Sequence, residues 1–123
     1  MQHIGEKTFT SDDQRLFALV SADRNPMHMD PIAARRLLTG RQVVHGIHIL
    51  ITAIEYWKND DDAFPVSIAC DFSNPVSIGD KVVFTQNAQN DNEVTLEAKV
   101  NGNLCALVTI ATAQTEEAVG VRI

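Results

Sequence analysis

The amino-acid sequence predicts an α+β fold in which a curved antiparallel β-sheet wraps around one long central helix. Residues 45–58 are apolar on almost every face of a helix, so that helix must be enclosed by other structure. After residue 65 the apolar residues recur at every second position, and short turns separate the runs. This pattern is typical of an antiparallel sheet with one buried face. Such a sheet covers the preceding helix most simply by curving around it.

The start of the chain predicts a short strand over residues 6–10 and then a helix. Ser11 is the expected N-cap of this helix, with Gln14 three residues later as its capping-box partner. The expected buried face of the helix consists of four apolar residues: Leu16, Phe17, Leu19 and Val20. The helix is expected to end near Ser21.

The remaining elements are predicted by caps, turns and alternation. Asp30 as N-cap and Pro31 at the first helical position predict a second helix, which ends at Gly40. Beyond the apolar helix, four alternating runs predict strands, and Asn101-Gly102 between the last two predicts a tight hairpin. The first run places four residues on the expected buried face: Val66, Ile68, Cys70 and Phe72.

Length and composition are typical of a single globular domain that spans residues 1–123. The net charge is −6 and the pI is about 5.0, which disfavours nucleic acid or an anionic membrane as a partner. Cys70 and Cys105 match no metal-ligand or redox spacing, so we expect reduced cysteines in the core. The N-terminal residues do not resemble a signal peptide, and no apolar run reaches membrane length. The expected location is the cytoplasm.

The polar loop SADRNPMHMD, residues 21–30, is the first candidate for chemistry. Pro26 fixes its own φ and pushes Asn25 toward an extended conformation, and the Asn25 amide can bond nearby backbone groups. The loop is therefore expected to be rigid enough to hold Asp23 and His28 as a pair. A carboxylate and an imidazole that converge on one water can remove a proton from it and deliver one elsewhere.

The pair His45-Gly46, at the start of the apolar helix, is the second candidate. The first N–H groups of a helix lack internal partners and carry the positive end of its dipole. A glycine at this point lets a ligand approach the backbone closely. The Gly46 N–H could therefore hold a carbonyl oxygen that gains negative charge, as in an oxyanion hole.

A metal site and an anion site are alternative interpretations of nearby residues. His45 and His48 are three residues apart on a helix. His28 or Asp30 could add further ligands, but the spacing differs from that of known zinc sites, and no metal is expected. A cluster of three arginines could bind an anion or lie on a solvated helix face: Arg35, Arg36 and Arg41.

Two stretches carry a resemblance to a known family. FALVSADRNPMHMDPIAARRL followed by VVHG resembles the hydratase-2 motif of the MaoC-like dehydratases, the (R)-specific enoyl-CoA hydratases, and FSNPVSIGDKV resembles a stretch that follows in that family. The resemblance covers roughly residues 6–113 and implies a hot-dog fold, usually as a homodimer. It implies Asp23 and His28 as the catalytic pair and Gly46 as the oxyanion glycine. The residues that would support this site are Asn25, Pro26 and His45.

The resemblance implies hydration of a trans-2-enoyl thioester to a 3-hydroxyacyl thioester, or the reverse dehydration, without metal or redox cofactor. The carrier would be CoA or acyl carrier protein, and the acidic charge of the chain favours CoA. The three arginines would contact carrier phosphates, while Tyr56 and Trp57 would close an acyl tunnel or pack in the core. A hot-dog thioesterase and a non-catalytic acyl-thioester binding module stay open as alternatives. The second stays open because Ala53 or Ile54 stands where some members carry a serine, with Thr52 as the nearest hydroxyl.

Overall fold

The computed structural model describes residues 1–35, 40–60 and 63–113. Within these ranges it contains five strands and four helices. In chain order they are β1 (Gln2–Thr8), α1 (Ser11–Ser21), α2 (Pro26–Met29), α3 (Pro31–Ala34), α4 (Gly46–Asp60), β2 (Phe64–Phe72), β3 (Lys81–Asn90), β4 (Glu93–Val100) and β5 (Asn103–Ala113).

The five strands form one antiparallel sheet in the order β1-β3-β4-β5-β2. Helix α4 packs against β1, β3, β4 and β5, so the sheet wraps around it as the alternation and the apolar helix predict. Trp57 of α4 is completely buried in the core, which also contains Phe84 of β3 and Leu96 of β4. The prediction of a hot-dog fold is confirmed.

Glycine accounts for one tight turn and one close contact of this fold. Asn101 and Gly102 have φ angles of +51° and +81°, as a two-residue hairpin turn with the twist of its strands requires. Gly5 is needed for a different reason, because a Cβ atom there would lie 2.7 Å from the ring of Tyr56. The Tyr56 hydroxyl donates to the Glu6 carbonyl at 3.0 Å, so α4 lies directly on β1.

The first helix differs from its prediction in both its cap and its buried face. Thr10, not Ser11, is the N-cap, and Asp13 completes the capping box. The predicted stripe is wrong: three of its four residues are exposed, namely Leu16, Leu19 and Val20. The buried positions of α1 are Gln14 and Ala18, because this helix lies over a loop whose carbonyls need hydrogen-bond donors rather than over an apolar sheet.

The predicted loop between the first two helices contains a short helix of its own. Asn25 is the N-cap of α2, and its side chain accepts a hydrogen bond from the Met27 N–H at 3.2 Å. Asp30 then caps α3 and accepts from the N–H groups of Ile32 and Ala33, as predicted. Residues 36–39, in the rest of the predicted second helix, lie outside the described residues, as does the tail after residue 113.

Two apolar surfaces that the sequence predicts to be buried are open. On α4, Ile47 and Ile51 are 55% and 42% exposed, so one side of the helix faces away from the sheet. On β2, Val66, Ile68 and Phe72 are between 42% and 49% exposed. The side of α4 is open because the single sheet covers only its other side. The face of β2 is open because this edge strand is not among the strands that pack closely on α4. We call these five side chains the open apolar surface.

No helix in the described part of the chain is both long and apolar enough to cross a membrane.

Candidate active site

His28 is held in one tautomer by the backbone of a distant segment. It lies in α2, is 5% exposed, and its Nδ1 is 2.5 Å from the carbonyl oxygen of Val43. A carbonyl oxygen can only accept, so Nδ1 carries the proton and Nε2 keeps the lone pair. That Nε2 lies 3.8 Å from a carboxylate oxygen of Asp23. A neutral His28 can therefore accept a proton on the side that faces Asp23.

Asp23 is positioned by the turn that ends α1. Ala22 adopts the left-handed conformation with φ +61°, and the Asp23 N–H donates to the Ser21 hydroxyl at 3.2 Å. The Asn25 N–H donates to the Asp23 carboxylate at 3.2 Å. The Asp23 side chain stays half exposed, so one oxygen can meet water or substrate while the turn restrains the group.

His45 lies beside this pair, at the residue that precedes α4. It is 2% exposed, and its ring stacks on that of His28 with a centroid distance of 4.2 Å. Its Nε2 lies 2.9 Å from the carbonyl oxygen of Asp23, and its Nδ1 lies 3.2 Å from the side-chain oxygen of Gln14. His45 therefore connects the Asp23 turn to the first helix.

Gly46 opens α4 and faces a cavity of about 390 Å³ that His28 also lines. The structure gives the Gly46 N–H no acceptor within the described ranges, as expected at a helix start. A Cβ atom at Gly46 would lie 3.1 Å from the ring of Phe72, which also borders the cavity. The cavity thus joins an imidazole that accepts a proton to a backbone N–H that can donate to an oxyanion.

A metal could be held by a different group of residues from the one that the sequence suggests. Ligand atoms of Asp23, His28 and His45 lie within 4.8 Å of one another in the described part of the chain. Asp30 is a helix cap instead. Metal binding at the three residues would displace a nitrogen of His45 from an oxygen that it already faces, because both of its nitrogens lie against oxygens.

His48 belongs to an aromatic cluster rather than to the cavity that His28 and Gly46 line. Its ring stacks on Phe17 at 4.6 Å and meets the edge of Phe9 at 5.0 Å. Burial lowers the pKa of His48, which favours the neutral ring between these aromatics. The Thr52 hydroxyl donates to the His48 carbonyl at 2.8 Å, so this hydroxyl is used within α4.

The arginines predicted to bind the carrier lie at a second cavity, of about 400 Å³. Arg35 and Arg41 line it, while Arg36 lies outside the described residues. Arg41 pairs with Asp80 at 3.0 Å and donates to the Ile78 carbonyl at 3.3 Å. Gln42 lines this second cavity, and Val43 lines the cavity of His28 and Gly46. The two cavities therefore lie on either side of residues 42 and 43.

Tyr56 and Trp57 both lie outside the lining of the cavity that His28 and Gly46 border. Tyr56 packs on Gly5 and on Phe84, with a ring-centroid distance of 5.4 Å to the latter. Trp57 is fully buried in the core. Of the two roles open for this pair, the structure supports packing in the core.

Three residues near the site are not found by reasoning from the sequence. Gln14 is assigned there to a helix cap, Phe72 to a buried strand face, and Val43 to no role. The Val43 contribution is a backbone carbonyl, which has no side-chain signal. Gln14 does have a signal in the sequence. It is a polar residue four positions before Ala18, so it lies on the same buried face of α1 as that alanine.

Comparison with known proteins places this chain in a family. The sequence profile of the MaoC like domain matches residues 2–109. A curated relative, the mitochondrial 3-hydroxyacyl-[acyl-carrier-protein] dehydratase of Arabidopsis thaliana, is 33% identical over 81 residues, which are 63% of this chain and 47% of that protein. The match therefore spans about half the length of this relative.

Two solved structures share the fold at low sequence identity. The (R)-hydratase from A. caviae involved in PHA biosynthesis is 21% identical, with a TM-score of 0.75 over 90% of this chain and 92% of that one. The ChsH1–ChsH2 complex from Mycobacterium tuberculosis is 17% identical, with a TM-score of 0.77 over 90% of this chain and 92% of that one.

Fold and geometry together define a hot-dog protein in which a carboxylate and an imidazole lie beside a helix N-terminus. The chain belongs to the MaoC-like dehydratase family, because the family profile covers most of its length. The predicted membership in this family of hydratases and dehydratases is confirmed.

Proposed function

We propose that the protein adds water across a trans-2-enoyl thioester to give an (R)-3-hydroxyacyl thioester, and catalyses the reverse dehydration. The observation that carries this proposal is the tautomer of His28. Its Nδ1–H is bound to the Val43 carbonyl, so its Nε2 lone pair faces Asp23, and His28 and Gly46 line one cavity. A proton acceptor, a neighbouring carboxylate and an unused N–H are the groups that hydration of an activated double bond needs.

In the proposed reaction, water lies between Asp23 and His28 and attacks C3 of the substrate. The Gly46 N–H donates to the thioester carbonyl, so the electron pair of the double bond moves onto that oxygen as the new C–O bond forms. His28 Nε2 takes one proton from the attacking water. The pair returns one proton to C2, which collapses the enolate and restores the starting protonation state.

CoA is the carrier that we favour. The net charge of −6 disfavours an acidic carrier protein, and Arg35 at the second cavity offers positive charge for a phosphate. The name of the Arabidopsis relative indicates acyl carrier protein as the carrier of that enzyme. Comparing crotonyl-CoA with crotonyl-acyl carrier protein at equal concentration tests this choice, and a higher kcat/KM with the carrier protein would reverse it.

The open apolar surface supports a homodimer. Exposed apolar side chains on an edge strand are a common site of association, and the ChsH1–ChsH2 structure shows this fold in a complex. Ile68→Lys should raise the dissociation constant of the dimer at least about 10-fold, since it buries a charge in an apolar contact. Leu19→Lys, on exposed α1, is the matched control. A wild-type protein that sediments as a monomer at tens of micromolar would exclude this dimer.

One assay tests the reaction against both alternatives. Purified protein is incubated with crotonyl-CoA while the enoyl absorbance and free thiol are followed together. Loss of the enoyl absorbance without thiol release is the expected result, and chromatography on a chiral phase then identifies the (R)-product. Thiol release would indicate the thioesterase instead. No turnover at several acyl chain lengths would leave the binding module. The domain extent of 1–123 and the cytoplasmic location stay predictions.

A further inference from the structure

One buried amide is bonded to the groups that hold both members of the catalytic pair. Gln14 lies in the first turn of α1 and has no exposed surface. Its side-chain nitrogen donates to the carbonyls of His28 and Val43, both at 2.8 Å. Its side-chain oxygen faces Nδ1 of His45 at 3.2 Å. The opposite amide orientation would place this oxygen against two carbonyl oxygens, so the hydrogen bonds fix which end is which.

Each of the three partners acts on the pair in a different way. The His28 carbonyl belongs to the backbone that carries the imidazole. The Val43 carbonyl accepts from His28 Nδ1 and so sets the tautomer. His45, whose Nδ1 faces Gln14, reaches the Asp23 carbonyl with its Nε2 at 2.9 Å. Gln14 therefore touches neither the cavity nor the substrate, yet it connects to both Asp23 and His28.

We propose that Gln14 is a positioning residue for the proposed hydration, which sets the relative placement of Asp23 and His28. The inference rests on the proposed function for its kinetic consequence alone. The Gln14 side-chain oxygen and the Asp23 carbonyl can both only accept, so a neutral His45 ring donates to one of these two oxygens at a time. A buried amide that lost these partners would leave unpaired polar groups, so the network holds one arrangement.

Gln42 provides a matched control. It is 7% exposed, and its side-chain nitrogen donates to the same His28 carbonyl at 2.7 Å. The hydrogen bonds that the structure describes connect it neither to the Val43 carbonyl nor to His45. Gln14→Met and Gln42→Met therefore remove similar groups from similar surroundings, and only the first breaks the connection to Asp23 and to the His28 tautomer.

The kinetic test compares these two variants with crotonyl-CoA. Gln14→Met should lower kcat at least about 10-fold and change KM less than about 3-fold, since small displacements of reacting groups cost rate more than binding. Gln42→Met should lower kcat less than about 3-fold, because the His28 carbonyl keeps Gln14 as a donor. Circular dichroism and thermal melting confirm that each variant is folded. Equal losses of kcat in the two variants would overturn the positioning role.

The spectroscopic test needs no activity and so separates this inference from the proposed function. Protein with ¹⁵N-labelled histidine is studied at pH 7.5, with its four histidines assigned by single substitutions. Gln14→Met should shift the ring-nitrogen signals of His45, because the ring loses the Gln14 oxygen that faces its Nδ1. Gln42→Met removes a donor to the His28 carbonyl alone and should leave the His45 signals unchanged. Unchanged His45 signals in folded Gln14→Met, or equal shifts in the two variants, would overturn the inference.

Discussion

Two cavities are nearly equal in volume, about 390 and 400 Å³, and differ in what they can do to a bound molecule. We call the one lined by His28 and Gly46 the proposed catalytic cavity and the one lined by Arg35 and Arg41 the arginine cavity. The arginine cavity offers positive charge from Arg35, whereas Arg41 is paired with Asp80. The proposed catalytic cavity offers a proton acceptor, His28, and an unused helix N–H at Gly46. Volume alone would not separate them. The difference comes from two backbone groups. The Val43 carbonyl accepts from His28 Nδ1, which leaves Nε2 to take a proton, and the Gly46 N–H has no acceptor in the described residues.

The largest expected effect is on the acid–base pair. Asp23→Asn and His28→Ala should each lower kcat/KM for crotonyl-CoA at least about 10²-fold, because each removes a group that exchanges a proton in the transition state. The enoyl absorbance measures the rate, and circular dichroism checks the fold. Arg35→Ala, at the other cavity, is the control and should keep kcat. A His28→Ala variant with nearly full activity would remove the basis for distinguishing the two cavities.

The next effect separates the backbone N–H of Gly46 from the space around it. Gly46→Pro removes the N–H at the first helical position, where proline is tolerated, and should lower kcat by about 10²-fold or more. Gly46→Ala keeps the N–H and crowds only the half-exposed Phe72 ring, so its loss should be about 10-fold or less. Steady-state kinetics on both folded variants measure the difference. Equal losses would mean that shape, not hydrogen bonding, matters at this residue.

A smaller effect tests the arginine cavity as a carrier site. Arg35→Ala should raise KM for crotonyl-CoA about 5-fold and leave kcat unchanged, since one partly solvated charge contributes about 1 kcal/mol. KM for a pantetheine thioester, which lacks the nucleotide phosphates, should stay the same. Arg15→Ala is the control, because Arg15 lies on α1, pairs with Asp12 and does not line this cavity. Equal changes in KM for the two substrates would exclude phosphate binding by Arg35.

The smallest effect concerns stability at the wall of the arginine cavity, where Thr10 caps α1. Burial alone would raise the pKa of Asp13, but bonds from Thr10 and the charge of Lys7 lower it below its ordinary value of 3.8. The lowered pKa adds stability that is present above pH 3.8 and lost as pH falls through the folded pKa. Thr10→Ala should therefore cost about 1 kcal/mol of unfolding free energy at pH 7 and less at pH 3. Urea denaturation at both pH values measures this, and kcat at pH 7 should stay unchanged. A larger loss of unfolding free energy at pH 3 than at pH 7 would contradict the proposed interaction between Thr10 and Asp13.

The sheet could be predicted from the sequence because its signals are local. Alternation defines each strand, and Asn101-Gly102 defines a turn through two positive φ angles. The long helix could be predicted for the same reason. Its open side could not, because Ile47 and Ile51 differ from buried residues only in what lies opposite them.

The residues of the candidate site could be predicted from the sequence, but the hydrogen bonds that position them could be predicted less well. The motif that resembles a known family names Asp23, His28 and Gly46, and the structure brings them to one part of the molecule. The tautomer of His28 depends on a backbone carbonyl fifteen residues away, which no side-chain pattern reveals. The sequence assigns Gln14 to a helix cap because a capping box is a local pattern. Its three hydrogen bonds instead connect it to residues that are distant in the sequence.

The open apolar surface also has a consequence for how the proposed homodimer behaves on dilution. Phe72 belongs to that surface and its ring lies against Gly46, so in the proposed dimer a copy that pairs with β2 would lie next to the mouth of the proposed catalytic cavity. Mass action would then link specific activity to protein concentration. We expect activity per molecule to fall as the protein is diluted below the dissociation constant of the proposed dimer, and to recover when the protein is concentrated again.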